Sequence, residues 1–208
     1  MPDRLTRDFP LFPLGIVALP NELVPLHIFE ERLKTMMNEC LRNEREFGIV
    51  WLSDEGLREI GCACRIERVL ERMDDGRINL VGRGTRPFRM VERQRHLPYP
   101  AGVVEFVADR DDSVDDEVAK AAHQAYAELV KRATDREPDE EELAEMSAYT
   151  MAATVDFGLD AKQGLLDLRS ENGRLRLVTR LFRAALKRLD YVDRAQARAR
   201  SNGKVRFG

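Results

Sequence analysis

The chain has few cysteines, histidines and aromatic residues, and it has no excess of either charge. Its 208 residues include 3 cysteines, 3 histidines and 7% aromatic residues, and the formal net charge is -3 at pH 7. A chain so close to neutral offers no overall attraction to nucleic acid or to an anionic membrane surface, so contact with either would depend on a local patch. The odd number of cysteines also argues against a disulfide framework.

The sequence also lacks a long hydrophobic run, since no apolar stretch approaches the roughly 18 residues that a membrane-spanning helix needs. Near the N-terminus, Arg4 and Arg7 precede an apolar run over residues 9–19, a pattern that secretory signals share. Asp8 at the start of this run, the prolines within it and the missing small-residue cleavage site argue against a signal. We therefore predict a cytoplasmic protein with no membrane partner.

Motifs for catalysis, nucleotide binding and metal binding are missing as well. There is no G-x-S-x-G, no G-x-x-x-x-G-K-[ST] and no D-x-[DN]-x-[DN]-G. Cys62 and Cys64 alternate with Ile60 and Ile66 along one face of a predicted strand, where cysteine acts as a small hydrophobic residue. A zinc site would need two further ligands. We predict no catalytic residues, no metal and no cofactor.

The character of the sequence changes near Asp109. Short apolar runs separated by turn residues come before it, and long helical periodicities follow it. This order predicts an α+β protein with a strand-rich lobe over residues 1–108 and a helical bundle over residues 109–192. The basic segment over residues 193–208 is predicted to be a mobile tail.

The first lobe is predicted to contain seven strands and one inserted helix. The strands are predicted at residues 11–19, 24–28, 46–53, 59–71, 76–83, 86–94 and 101–108. The helix is predicted at residues 30–44, where apolar residues recur at spacings of three and four. Asp75-Gly76 favours a tight hairpin turn. So many short antiparallel strands favour a small β-barrel, because closure removes the exposed edges of a sheet.

The second lobe is predicted to consist of four helices. Ser113 with Asp116 resembles a capping box at the start of the first helix. The second is predicted to begin at Pro138 and to stop at Gly158, and a short third helix follows Asp160. The last helix, after Ser170, carries the most regular apolar stripe in the chain.

The segment from Leu11 to Leu33, LFPLGIVALPNELVPLHIFEERL, resembles the opening of the Lon protease N-terminal domain family, the substrate-binding LON domain. That family begins with a Pro-Leu strand and a Pro turn, and Pro-Leu-x-Ile-Phe-Glu-x-Arg then leads into a helix. The matching residues here are Pro13, Leu14, Pro20, Pro25, Leu26, Ile28, Phe29, Glu30 and Arg32.

Further motifs of this family follow in the same order along the chain. They are Phe47-Gly48, Gly61 with Ile66, Asp75-Gly76-Arg77, Gly82 to Phe88, Pro98-Tyr99, Leu165-Leu166 and Arg174-Leu175. Pro87 departs from the pattern, and it predicts an edge or a bulge because proline cannot donate to a central ladder.

The resemblance implies a barrel of the kind found in pseudouridine-synthase and archaeosine-transglycosylase RNA-binding domains, followed by a helical bundle. In full-length Lon proteases this domain precedes an ATPase module and a Ser-Lys peptidase. Neither is found here, so we expect a free-standing member. The resemblance further implies a non-catalytic module that binds unfolded or peptide segments of client proteins and could deliver them to a separate protease.

The predicted peptide-binding residues lie around the start of the first helix, with one on a later strand. They are Pro25, Leu26, Ile28, Phe29, Glu30, Arg32, Met36 and Met90. Methionine-lined apolar surfaces suit loosely specific binding. Two alternatives remain open at this point: the apolar side chains could fill the junction between the lobes, and Glu30 could serve only to start the helix while Arg32 braces a turn.

A basic stripe on the last helix provides the alternative function, RNA binding together with the barrel. The stripe consists of Arg176, Arg180, Arg183 and Lys187. A charged outer face is also what any amphipathic helix needs, and exposed aromatic residues for base stacking are not interleaved with it. The two functions predict opposite responses to salt, because phosphate contacts weaken with salt and apolar contacts do not.

Overall fold

Seven strands and six helices make up the computed structural model, which describes residues 5–110 and 112–202. The strands are β1 Leu5–Leu14, β2 Leu23–Ile28, β3 Phe47–Ser53, β4 Gly56–Leu57, β5 Ile60–Arg72, β6 Ile78–Gln94 and β7 Ala101–Phe106. The helices are α1 Glu31–Asn43, α2 Asp116–Thr134, α3 Glu140–Glu145, α4 Ala148–Ala152, α5 Leu159–Asp167 and α6 Glu171–Asn202. The predicted mixture of strands followed by helices is confirmed.

Contacts divide the chain into two compact units. The first runs from the described N-terminal residues to Asp112 and also includes Tyr149–Glu171, whereas the second combines Ser113–Ala148 with the chain from Asn172 onward. Helix α5 therefore groups with the strands, although the predicted boundary near residue 109 assigned it to the helical lobe. One reason is that the Gln163 side chain donates to the carbonyl of Ile60 on β5 at 3.1 Å.

In the first unit, the strands pair in an order in which a later strand, β3, pairs again with the first strand, β1. The order is β1-β7-β6-β5-β3, and β3 also pairs with β1, in parallel, with Leu11 opposite Gly48. The other pairings are antiparallel: β2 lies against β6, and the short strand β4 extends β3 as a hairpin. The parallel pair places the ends of β1 and β3 at the same edge, with Leu14 opposite Trp51.

Strand β6 is one long strand, although two strands with a break near residue 84 were predicted. The break is a β-bulge. Ala63 pairs with Arg86 and Cys64 pairs with Gly84, so Thr85 has no partner in the ladder. The Thr85 hydroxyl instead donates to the Ala63 carbonyl at 3.0 Å. A bulge bends a strand without ending it, which explains the continuous β6.

Pro87 lies two residues beyond this bulge, so the predicted irregularity near it is confirmed. Its carbonyl accepts a hydrogen bond from the nitrogen of Val107, just past the end of β7 at Phe106. A residue in an antiparallel strand points its nitrogen and its carbonyl to the same side. The missing N–H therefore faces the end of β7 and removes no ladder bond.

The core of the first unit centres on the Phe88 ring. Phe88 is fully buried and meets the ring of Phe9 edge-on at a centroid distance of 5.4 Å. It lies directly on two glycines, because a Cβ atom at Gly48 or Gly61 would come within 2.5 Å or 2.8 Å of the ring. The same core cluster contains Leu11, Val50, Ala63 and Val104.

In the second unit, the starts of α2 and α3 are fixed by aspartates. Asp115 accepts hydrogen bonds from the nitrogens of Glu117 and Val118, so the predicted capping box of Ser113 and Asp116 is wrong by two residues. Asp139 caps α3 in the same way, immediately after Pro138, the predicted start. Oxygen acceptors at this position satisfy N–H groups that the helix leaves free.

The single helix predicted from Pro138 to Gly158 is wrong, because α3 ends at Glu145 and α4 begins at Ala148. Met146 between them is extended, and its carbonyl contacts the His123 imidazole at 2.8 Å. Gly158 has a φ of 80° and precedes α5, so it begins a helix where a stop was predicted.

Helix α6 is longer than predicted. It continues to Asn202, so residues 193–202 of the predicted tail are helical, and residues 203–208 lie outside the described part of the chain. Arg132 of α2 forms an ion pair with Asp193 on α6, and the Tyr126 and Phe182 rings of these helices lie 5.4 Å apart. None of the helices that the structure describes combines the length and the apolar character needed to cross a membrane.

Candidate functional site

Three of the predicted peptide-binding residues, Leu26, Ile28 and Met36, are buried in the core. Strand β2 alternates between outward and inward residues, so Leu26 and Ile28 face inward while Pro25 faces solvent. Met36 lies on the buried face of α1. Ile28 and Met36 are fully buried and offer no surface to a client, Ile28 because a strand turns every second side chain to each face and Met36 because of its place on the helix. Leu26 is nearly buried but lines an open cavity together with Pro25, so its part in binding stays a prediction.

The remaining predicted residues are accessible to different degrees. Phe29 and Arg32 are exposed, and Glu30 is partly exposed. Met90 is half-buried against the core cluster and takes no part in the cavity that Phe29 lines. The part that these accessible residues play in binding stays a prediction.

An open cavity of about 600 Å³ lies at the edge where β1 and β3 end, and both apolar and charged side chains line it. The apolar lining includes Pro13, Leu14, Phe29, Leu52 and Leu57. Phe29 is 59% exposed and Leu52 is 53% exposed, so two large apolar side chains face solvent in one place. We call these five residues the apolar cavity.

Strand pairing explains why this surface forms. Leu14 is the last residue of β1, and the parallel pairing places it beside the end of β3. The β3–β4 hairpin then pairs Leu52 with Leu57. Phe29 follows the last residue of β2, and its ring stacks on that of His27 at 5.8 Å.

Sequence reasoning missed every member of the apolar cavity except Phe29 as a binding residue. Two of them, Pro13 and Leu14, were recognised only as family motif residues. Leu52 and Leu57 flank Asp54-Glu55-Gly56, whose composition is typical of a turn and could have indicated the β3–β4 hairpin.

Charged side chains surround the apolar cavity. Arg32, Arg93 and Glu30 also line it. Nε of Arg32 lies 2.8 Å from Oε2 of Glu30, and both side chains are well exposed, so this pair contributes little to stability. Arg93 has no ion pair in the described part of the chain.

A second, smaller cavity of about 250 Å³ adjoins the first one and shares Arg32 and Arg93 with it. Its lining adds Arg95 and Tyr99. The Tyr99 hydroxyl is buried. Burial, with a smaller contribution from the Glu39 carboxylate, raises the pKa of Tyr99 to about 12. We call this region, with Arg93 and Arg95, the basic cavity.

The predicted nucleic-acid face lies on α6, in the second unit. All four of its residues are exposed: Arg176, Arg180, Arg183 and Lys187. Exposure is what both a solvated helix face and an RNA-binding face require, so their role in RNA binding stays a prediction.

The three cysteines, Cys40, Cys62 and Cys64, are buried and free, as the core-packing interpretation predicts. Burial raises the pKa of Cys40 to about 11 and raises that of Cys62 well above its ordinary value. Since the thiolate is the reactive form, the raised pKa protects Cys40 and Cys62 in addition to the burial that all three thiols share.

We expect the thiols of the folded protein to react very slowly with a disulfide reagent at neutral pH, and all three to react at once in denaturing guanidinium. Because the pKa of Cys40 is raised in the folded protein, its protonated thiol contributes fully to the free energy of unfolding below pH 9.0. This contribution is lost as the pH rises through about 11. The absorbance of the thiolate that the reagent releases measures the reaction of the folded protein and that of the denatured protein. Rapid reaction of the folded protein would show that the cysteines are accessible.

Comparison with known proteins establishes the family. The model of the ATP-dependent protease La (LON) substrate-binding domain matches residues 8–184. The chain belongs to this family. The match covers most of the chain and confirms the family predicted from the motifs between Leu11 and Leu33.

Two relatives of this LON domain are bacterial Lon proteases. This chain is 26% identical to Lon protease 2 of Myxococcus xanthus over 93% of the length of this chain. It is also 26% identical to the Lon protease of Anaeromyxobacter dehalogenans over 89% of its length. These alignments cover 26% and 24% of the two proteases, so the chain spans about a quarter of their length.

Solved structures of LON domains share the fold. A Lon N-terminal domain protein from Xanthomonas campestris aligns with a TM-score of 0.64 and 26% identity, over 82% of this chain and 96% of that one. The N-terminal domain of the Lon protease from the Mycobacterium avium complex aligns with a TM-score of 0.62 and 17% identity, over 85% and 98% of the two chains. The second of these supports the fold alone.

Proposed function

We propose that this LON domain is a non-catalytic module that binds exposed apolar segments of client proteins at the apolar cavity. The observation that carries the proposal is the shared exposure of Phe29 and Leu52 in one open cavity. Leaving large apolar side chains in water costs free energy, so a grouped and exposed pair is typical of a binding surface. The family name, a substrate-binding domain, supports the same function.

The lining of the cavity fits binding better than catalysis. Its described residues include no serine, threonine or cysteine that could act as a nucleophile. The Glu30 carboxylate is paired with Arg32 at 2.8 Å. Apolar contact of this kind is tolerant of sequence, which suits a module that meets many unfolded clients.

Three further features belong to the same proposal. The ring of pairings among β1, β7, β6, β5 and β3 is a small barrel of the pseudouridine-synthase and archaeosine-transglycosylase type. The second unit is the helical bundle that accompanies it. In the cytoplasm, the domain would hold clients for a separate protease, a role that rests on analogy with the Lon proteases.

Replacing both Phe29 and Leu52 with serine is expected to weaken binding of an unfolded client about tenfold or more. Each substitution removes an apolar side chain that is exposed in the free protein and becomes buried when a client binds, so it lowers the affinity and not the stability. Fluorescence anisotropy of a labelled peptide with apolar residues, titrated with the full chain, measures the change. The melting temperature should stay near that of the parent protein.

The matched control is Val91→Ser. Val91 is 54% exposed on β6 and lies outside the lining of both cavities, so its substitution should leave the affinity unchanged. Equal affinities for the parent and the double variant would contradict the proposal. Capture of RNA, with binding that falls steeply as salt rises and that persists in the double variant, would favour the basic stripe of α6 instead.

A further inference from the structure

The two adjoining cavities differ in chemistry. The apolar cavity offers Phe29 and Leu52, whereas the basic cavity places Arg93 and Arg95 beside the first cavity's rim. Arg93 lines both cavities, as do Arg32, Pro13 and Leu57, so the two cavities are continuous. A segment that lies across both meets apolar side chains and guanidinium groups together.

The guanidinium groups of Arg93 and Arg95 are available to a ligand. Both side chains are exposed, and neither forms an ion pair or a hydrogen bond in the part of the chain that the structure describes. Glu30, the acidic residue of the combined lining, is already engaged, because it pairs with Arg32 at 2.8 Å. The combined lining is therefore cationic, although the chain as a whole carries a net charge of -3.

The spacing of the two arginines matches an extended segment. Arg93 lies in β6, and Arg95 follows one residue after the end of that strand at Gln94. Residues two apart on an extended chain point to the same face and lie about 6–7 Å apart. Carboxylates on alternate residues of an extended client have the same spacing, and guanidinium groups bind carboxylates with two parallel hydrogen bonds.

We propose that this site selects client segments in which aspartate or glutamate side chains lie next to apolar residues. The apolar side chains occupy the apolar cavity, and the carboxylates bind Arg93 and Arg95. This inference rests on the proposed function, because it names the class of segment that the same site prefers. Both cavities open to solvent, so an internal segment can cross them without presenting a chain end.

The test compares three fluorescein-labelled peptides that share one leucine-phenylalanine core and an amidated C-terminus. Their flanking residues are glutamate, glutamine or lysine. The glutamate peptide is expected to bind the full chain about fivefold more tightly than the glutamine peptide, and the lysine peptide more weakly than either. The preference should shrink as salt rises, because exposed charges are screened.

The double variant Arg93→Gln with Arg95→Gln is expected to lose the preference for glutamate, so that the glutamate and glutamine peptides bind it with equal affinity. Arg89→Gln is the matched control, because Arg89 is an exposed arginine of the same strand that lines neither cavity. Its preference should equal that of the parent protein. A preference that survives in the double variant would overturn this inference.

Other outcomes separate this inference from the proposed function. If the glutamine and glutamate peptides bind equally and both depend on Phe29 and Leu52, the charge preference is wrong and the apolar site stands. If the glutamate peptide binds regardless of Phe29 and Leu52, the proposed function is wrong. Tight binding only when the C-terminus is left as a free carboxylate would overturn the choice of side-chain carboxylates.

Discussion

Replacing Phe88 with alanine is expected to reduce the free energy of unfolding by about 3–5 kcal/mol. The ring is fully buried, and it lies on Gly48 and Gly61, where a Cβ atom would collide with it. Glycines have no side chain that could move into the vacated space, so most of the cavity should remain. Equilibrium urea denaturation followed by circular dichroism measures the loss.

The control for this experiment is Phe29→Ala. Phe29 is the same residue type but is 59% exposed, so its substitution should change the free energy of unfolding by less than about 0.5 kcal/mol. If Phe88→Ala proves too unstable to purify, Phe88→Leu keeps part of the packing and should lose about 1–2 kcal/mol. Similar losses for Phe88→Ala and Phe29→Ala would show that the Phe88 ring is not the centre of the core.

Replacing Gly84 with alanine is expected to cost about 3 kcal/mol or more. A Cβ atom at this position would lie 2.0 Å from the carbonyl oxygen of Leu19. The surrounding backbone cannot easily move away, because Gly84 donates to the Glu22 carbonyl at 3.0 Å and accepts from the Asn21 nitrogen at 2.9 Å. Both hydrogen bonds would have to lengthen to admit a methyl group.

Gly15→Ala provides the comparison for this glycine. No atom lies within 4 Å of a Cβ built at Gly15, so its substitution should leave the melting temperature unchanged or raise it slightly. Gly84→Ala should lower the melting temperature by several degrees, as differential scanning calorimetry would show. A Gly84→Ala protein that melts with the parent would mean that the turn at residues 19–22 does not press against β6.

The sequence was sufficient to predict most strands of the first unit and the first and last helices, because their hydrophobic periodicity is local. It did not predict the parallel pairing of β1 with β3. Alternation of side chains reports which face of a strand is buried, and it does not report which strand is its neighbour. The bulge at Thr85 could not be distinguished from a break between two strands, because glycines such as Gly82 and Gly84 are typical of turns.

The residues of the candidate site were also only partly predictable from the sequence. Phe29, Glu30 and Arg32 follow from the family motif, which is contiguous in sequence. Arg93 and Leu52 could not be predicted, because only the tertiary structure brings the end of β6 and the end of β3 to one cavity.

Helix caps in the second unit show how a distant contact decides between adjacent candidates. Ser113 and Asp115 both have side chains that could cap α2. The Asn172 side chain donates to the Ser113 carbonyl at 2.9 Å and accepts from the Asp115 nitrogen at 2.8 Å. These two hydrogen bonds fix the backbone before α2 and place the Asp115 carboxylate at the start of the helix.

The position of β1 has a consequence for the order in which the protein can fold on the ribosome. β1 is synthesised before either of its partners, yet it is hydrogen-bonded on one side to β3 and on the other to β7, which ends at Phe106. The β5–β6 hairpin involves neighbouring residues and can form as soon as it emerges, whereas β1 has both partners only when β7 has been synthesised. Until then its apolar residues are exposed, so the nascent protein would itself present the kind of segment that a chaperone recognises.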